Sequence, residues 1–379
     1  MGSTELVEPL RGVDTLAALA AKQALDAEER RRLPAETVAA LVDAGFARYF
    51  VPPAYLPVPE RDRLATWEQL ARAVAAVAEG CASTAWIASI LASVGRMAAY
   101  LPEEGRDEFW ATGPDTVGVG ALVPTGRATP VSGGWRVTGE WALTSGIDHA
   151  DWVLACARVV SGELRFFALP SGGFTILDTW FNVGMRGTGS NTMVVEDLFV
   201  PEHRTFRHST LMAGHDAVPG VRGYDLPLPA VSPLLFAAPA LGAAMGLLRW
   251  WTAWTGQRSD PFGVALRGKP GPQQLLARVA GELDAAALLL DRVARTADGG
   301  GVDALTAARS ARDCALAVES IVGVVDRLFH ACGTRGQATN SPAQRVWRDV
   351  HSIAAHVGLQ VELTGAAYAA KVWPPAPPG

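Results

Sequence analysis

No extended block of lysine or arginine occurs in the 379-residue chain, where Arg30-Arg31-Arg32 is the longest basic run and the formal net charge is -5. Nucleic-acid binding draws its affinity from such a block, so that class of partner is set aside. Cysteine is scarce: Cys81, Cys156, Cys314 and Cys332 lie far apart and form no C-x-x-C pair. That spacing excludes a disulfide framework and fits the reduced, buried thiols of a cytoplasmic protein. No apolar run is read as reaching the roughly 18 residues of a membrane span, and no signal-peptide core is seen, so no membrane partner is expected. HExxH is missing, and neither Asp148-His149 nor His351 and His356 belongs to a carboxylate–histidine cluster. Residues five apart on a straight helix point about 140° away from each other, so His351 and His356 would not share an ion. No metal site is expected. Gly263 to Lys269 has only the skeleton of a P-loop, because Pro270 stands where Ser or Thr should meet magnesium.

What is present describes a globular chain. Hydrophobic residues make up 49% and charged residues 19%, enough for a large core, and the length fits two or three domains or one large composite unit. Ala17–Ala27, a segment opened by Pro34 and closed by Gly45, and Trp67–Ala78 have helical spacing. From Trp135 to Val159 apolar and polar residues alternate, as they do in Arg165–Leu169 and in Thr192–Val200, which Pro201 stops. These are antiparallel strands. Residues 208–233 are rich in Gly and Pro and read as a loop. Four long apolar or amphipathic segments follow, Leu234–Thr255, Pro272–Ala297, Ala304–Cys332 and Pro342–Lys371, which predict a four-helix bundle. The expected division is a helical domain (1–115), a β-domain (116–207), the loop (208–233) and the bundle (234–379).

Two glycine- and hydroxyl-rich corners interrupt the strands, Thr144-Ser145-Gly146 and Arg186-Gly187-Thr188-Gly189-Ser190. Such corners serve either as plain hairpin turns or as seats for the polar edge of a planar cofactor or a phosphate.

Trp141-Ala142-Leu143-Thr144-Ser145 and the run from Gly184-Met185-Arg186-Gly187-Thr188 to Asp197-Leu198-Phe199-Val200-Pro201 resemble the β-domain of the acyl-CoA dehydrogenase superfamily. SGIDHADW and RGTGSNTMVVEDLFVP are similar to its two-component flavin-dependent monooxygenases, the 4-hydroxyphenylacetate hydroxylase type and natural-product relatives. The resemblance implies an α+β fold with helices, β-domain and helical bundle, assembled as a homotetramer. It implies reduced FMN or FAD delivered by a separate reductase, O2 as co-substrate, and a C4a-peroxyflavin that oxidises a small substrate. Aromatic hydroxylation and amino-sugar N-oxidation both remain open. Trp141, Thr144, Ser145, Gly146, Arg186, Thr188 and Ser190 would meet the flavin, with Thr144 and Ser145 near N5. Arg258, Phe262, Gln273 or Gln274, and the Gly333 turn would reach it from a neighbouring subunit. Trp86, His351 and the 208–233 loop would shape the substrate space.

Two absences qualify the resemblance. Dehydrogenases place a glutamate eight residues after the Asp of Arg348-Asp349, where this chain has Val357, and Leu234–Trp254 contains no carboxylate either. Without such a base, abstraction of a thioester α-proton has no agent. His356 stands beside the empty position and would serve as acid–base, or else is a satisfied core histidine. Relatives also commonly carry a histidine about eight residues after Trp86, and Leu91 to Met97 has none, which argues against a simple phenol. The alternatives are an acyl-CoA dehydrogenase-like enzyme and a non-catalytic scaffold of the same fold.

Overall fold

Small, apolar helices build the N-terminal layer: α1 (Val13–Arg30), α2 (Ala35–Asp43), α3 (Trp67–Gly80), α4 (Ala82–Ala98) and the short α5 (Glu103–Phe109). The structure, a computed structural model, describes residues 9–215, 217–219, 221 and 223–373. Pro34 stands immediately before α2, and Thr66 caps α3 by accepting the Gln69 N–H at 3.1 Å. α4 is buried along nearly its whole length, since Ala82, Ala85, Ala88 and Ala92 let other elements approach it closely.

The sheet comprises β1 (Gly118–Val131), β2 (Gly134–Thr144), β3 (Trp152–Val159), β4 (Leu164–Pro170), β5 (Thr175–Leu177), β6 (Asn191–Pro201) and β7 (Thr205–Arg207). Its seven strands run in the order β5-β6-β2-β1-β3-β4-β7, antiparallel except for the parallel β1–β3 pair. The alternating pattern placed β2, β3, β4 and β6 but did not single out β1, whose small and polar residues hide the period. Register breaks between Trp141 and Thr144 where β2 pairs β6, and Leu143 there has φ 61° with its side chain exposed. A bulge of this kind re-aims the residues that follow it. Here those are Thr144 and Ser145.

Three expectations for the C-terminal half need correction. Residues 208–233 are not one loop: α6 (His208–Ala213) opens the stretch and α7 (Leu228–Gly256) begins inside it, while residues 216, 220 and 222 lie outside the described residues. The described part is tied down by Arg96, whose Nε donates to the Gly223 carbonyl at 2.8 Å and whose Nη2 donates to Tyr224 at 2.9 Å. Next, α7 is in fact long and apolar enough to cross a membrane, yet 72% of its most apolar window is packed inside the chain. It serves as the core helix, and a Cβ on Gly242 would sit 1.9 Å from the Ala75 carbonyl of α3, which shows how closely the two helices approach. Finally, after α8 (Pro270–Gly299) and α9 (Ala304–Ala331), the last predicted segment is two helices, α10 (Pro342–Ala354) and α11 (Val361–Val372). The break is chemically defined. Gln360 Nε2 donates to the last-turn carbonyl of Ala354 at 2.6 Å, and His356 Nδ1 accepts the Gly358 N–H at 3.1 Å.

Candidate active site

α4, α7, the break after α10 and both corners of the sheet converge on one buried cluster. Trp86 of α4 donates its indole N–H to Ser145 Oγ at 3.2 Å. Ser145 Oγ lies 2.8 Å from Ser190 Oγ, Ser190 lies 2.6 Å from Thr188 Oγ1, and Thr188 Oγ1 donates to the Met185 carbonyl at 2.8 Å. The Gly146 N–H closes the two corners together by donating to the Thr188 carbonyl at 2.9 Å. On the other side of Trp86, Phe236 of α7 stacks on its ring at 4.7 Å, and the His356 ring packs 4.2 Å from Phe236 and 5.6 Å from Trp86. Sequence reasoning had Trp86, Ser145, Thr188, Ser190 and His356, and missed Phe236. α7 is apolar all round, so no period distinguishes a site-facing ring on it; the one available signal was an aromatic amid Leu and Ala.

Other expected cofactor contacts are turned elsewhere. The Trp141 ring is buried in the sheet core, donating to the Cys156 carbonyl at 2.7 Å, and a Cβ on Gly126 would collide with it at 2.1 Å. Thr144 is fully buried and donates its hydroxyl to the Trp141 carbonyl at 3.0 Å across the bulge. Arg186 bonds the Glu28 carbonyl of α1 at 3.2 Å, and Gly187 accommodates Ala27 and Ser83. The outer side of the 186–190 corner is therefore packed against α1 and α4 rather than open for a phosphate. Its two hydroxyls face the Ser145 corner instead. Among the described residues no group of three metal-ligating side chains occurs.

His356 is half-buried between the rings, and burial pushes its pKa down to about 4. Because Nδ1 accepts from Gly358, the proton of the neutral ring resides on Nε2. The fold thus presents a fixed N–H donor at this position. The sign for stability follows: unfolded histidine titrates near 6.5, so stability is lost as pH falls from about 6.5 toward 4, where the unfolded chain binds the proton first. NMR titration of the His356 ring should give a midpoint near 4, and a midpoint near 6.5 would contradict the burial.

Residues 234–361 match the acyl-CoA dehydrogenase C-terminal domain family. Along 93% of its length the chain is 32% identical to the HsaA oxygenase subunit of a flavin-dependent monooxygenase from Mycobacterium tuberculosis, covering 92% of that protein. It is 31% identical to the oxygenase component of an FADH(2)-dependent resorcinol hydroxylase from Rhizobium sp., over 95% of this chain and 92% of the other. The chain belongs to the flavin-dependent monooxygenase branch of the acyl-CoA dehydrogenase superfamily. Its fold agrees: a 3-HSA hydroxylase from Rhodococcus superposes with a TM-score of 0.88 at 29% identity over 95% of both chains. XiaF from a Streptomyces, solved with FADH2 and glycerol, gives 0.88 at 25% identity over 97% and 96%.

In this monooxygenase the remaining expected residues stand apart from the cluster. Arg258 lies over the Trp254 ring at 4.3 Å, Phe262 is 90% exposed, Gln273 donates to the Arg267 carbonyl, and Gln274 and Gly333 are exposed. None makes a contact with the Ser145 corner of its own chain. His351 does not join Trp86 either: it meets Asp326 Oδ1 at 3.0 Å and packs on Trp347 at 4.7 Å. Sequence reasoning also missed Asp349, whose buried carboxylate accepts the Met185 N–H at 2.6 Å; burial raises its pKa to about 6. The residues present fit the edge of a flavin ring. Ser145 keeps a lone pair beyond those its neighbours use, and flat aromatic walls stand beside it.

Proposed function

We propose that this oxygenase component takes reduced FMN or FAD from a separate reductase and, with O2, hydroxylates a planar aromatic substrate. The observation that carries this reading is the single buried cluster joining Trp86, Phe236 and His356 to the Ser145, Ser190 and Thr188 hydroxyls. Reduced flavin, when bound, supplies the electrons and the site at which oxygen is activated. The chain supplies the rest. Ser145 accepts a hydrogen bond from the flavin edge, with Trp86 fixing its position. His356, kept neutral by burial, points its Nε2–H as a fixed hydrogen-bond donor that can hold an oxygen atom in place without a buried charge. Trp86 and Phe236 offer flat apolar walls that exclude water and suit an aromatic ring. An amino sugar would bring an ammonium, and the cluster contains no carboxylate to pair it. The name of the resorcinol hydroxylase relative favours the same choice. Arg258, Phe262, Gln273, Gln274 and Gly333 would complete the flavin site of a neighbouring copy in a homotetramer.

The dehydrogenase alternative is tested directly. Position 357 is an exposed valine in the turn between α10 and α11, with no carboxylate to take an α-proton. Anaerobic mixing of the flavin-loaded protein with acyl-CoA thioesters should leave the oxidised flavin spectrum unchanged. Bleaching of the flavin would overturn the monooxygenase mechanism proposed here.

A further inference from the structure

We propose that Thr188, backed by the Met185 carbonyl in a turn whose preceding peptide Asp349 holds, is a positioning residue that makes Ser145 an obligate hydrogen-bond acceptor and so lets the site tell reduced from oxidised flavin. The inference rests on the reading of this cluster as a flavin site.

Each hydroxyl has one hydrogen, and the far end of the chain decides where all of them point. The Met185 carbonyl can only accept, so Thr188 spends its hydrogen there, at 2.8 Å. Thr188 must then accept in its 2.6 Å bond with Ser190, and Ser190 is the donor. Ser190 must in turn accept at 2.8 Å, so Ser145 is the donor. The Trp86 indole N–H can only donate, and it enters at Ser145. The whole chain is poled from Trp86 toward Met185, and Ser145 retains one unused lone pair and no hydrogen to offer.

The pole is held from behind. Met185 has φ 53° and ψ 29°, a left-handed conformation that its side chain disfavours, and Asp349 Oδ1 takes its N–H at 2.6 Å. Its carbonyl is also bonded by the Thr188 N–H and the Trp180 indole, both at 3.1 Å. A Cβ on Gly184 would lie 2.2 Å from the Arg348 carbonyl, so the loop is pressed against α10. Asp349 holds the Gly184–Met185 peptide there, and the next peptide, which carries the Met185 carbonyl, is held by the Thr188 and Trp180 donors. The helix that leads to His356 therefore also fixes the direction of the hydroxyl chain.

A lone pair at Ser145 recognises an N–H. Reduced flavin carries a hydrogen on N5, whereas N5 of the oxidised ring is itself only an acceptor. The same contact is attractive in one redox state and repulsive in the other.

The test compares dissociation constants for oxidised FMN and FAD, from aerobic fluorescence titration, with those for the photoreduced forms, from anaerobic ultrafiltration. Wild type should bind reduced flavin more tightly. Thr188→Val removes the hydrogen sink, frees the Ser190 and Ser145 hydroxyls to reverse, and should lower the preference about tenfold, the effect of one hydrogen bond. Thr188→Ser should hold the preference within about twofold. Asp349→Ala should lower it, while Asp349→Asn, which keeps an acceptor for Met185, should not. Thermal melts monitor folding, and the Asp349 pair decides the matter should Thr188→Val fail to fold. Equal weakening of both forms with the ratio intact, or an unchanged ratio in Thr188→Val and Asp349→Ala, would overturn the proposal as a merely structural role. A wild type that binds both forms equally also refutes the polarity claim and leaves the flavin site standing. One that binds neither refutes the flavin reading itself.

Discussion

Replacing His356 by alanine should slow turnover by about 10²–10³-fold, the usual cost of losing one preorganised hydrogen-bond donor, with reduced-flavin binding close to wild type. The ring packs against Phe236 at 4.2 Å and Trp86 at 5.6 Å, and its only protein hydrogen bond among the described residues is the one Nδ1 accepts from the Gly358 N–H. Nε2–H is thus free for chemistry. Alanine also removes the cap on Gly358, worth about 1 kcal/mol, so a small fall in melting temperature is expected alongside. His356→Asn separates the two roles, since its side-chain amide oxygen can still accept from Gly358 but the shorter side chain has no N–H where Nε2 stands. Stopped-flow turnover with parallel melts checks this. If Asn restores both stability and rate, His356 is a structural cap and not a donor to the reacting oxygen.

The second large effect concerns cofactor affinity. Arg258→Ala should weaken flavin binding by about 1.5–3 kcal/mol, roughly 10–150-fold in Kd, if the guanidinium bonds a flavin phosphate of a neighbouring copy. The side chain is poised for such a partner. It lies over Trp254 at 4.3 Å, makes no ion pair among the described residues, and is flanked by the exposed Phe262. Arg258→Lys should recover only part of the loss, because an ammonium cannot offer paired donors in a plane. Affinity unchanged in a folded Arg258→Ala protein would show that Arg258 serves another purpose.

The helices and most strands were legible because their periods are strong. Ser145, Thr188 and Ser190 were legible because hydroxyls beside glycine are unusual in a strand. What escaped was set by direction and by distance along the chain. Trp141 and Thr144 sit in the same five residues as Ser145, yet a single bulge turns one inward and closes the other on its own backbone. The pattern from Pro342 to Lys371 keeps a helical period, so the break at His356 depends on caps from Gln360 and His356 that no period reveals. Asp349 meets Met185 across 164 positions, and the left-handed φ it supports is invisible in a residue as ordinary as methionine. Phe236 carried no period at all.

Oxygen uptake and the flavin spectrum, recorded together after anaerobic protein loaded with reduced flavin is mixed with aerated buffer, probe the monooxygenase reading most directly. The cluster around Ser145, Trp86 and His356 should make O2 disappear well before the oxidised-flavin absorbance returns, with the delay shortened in His356→Ala. Oxidised flavin returning in step with oxygen uptake, as it does free in solution, would contradict it.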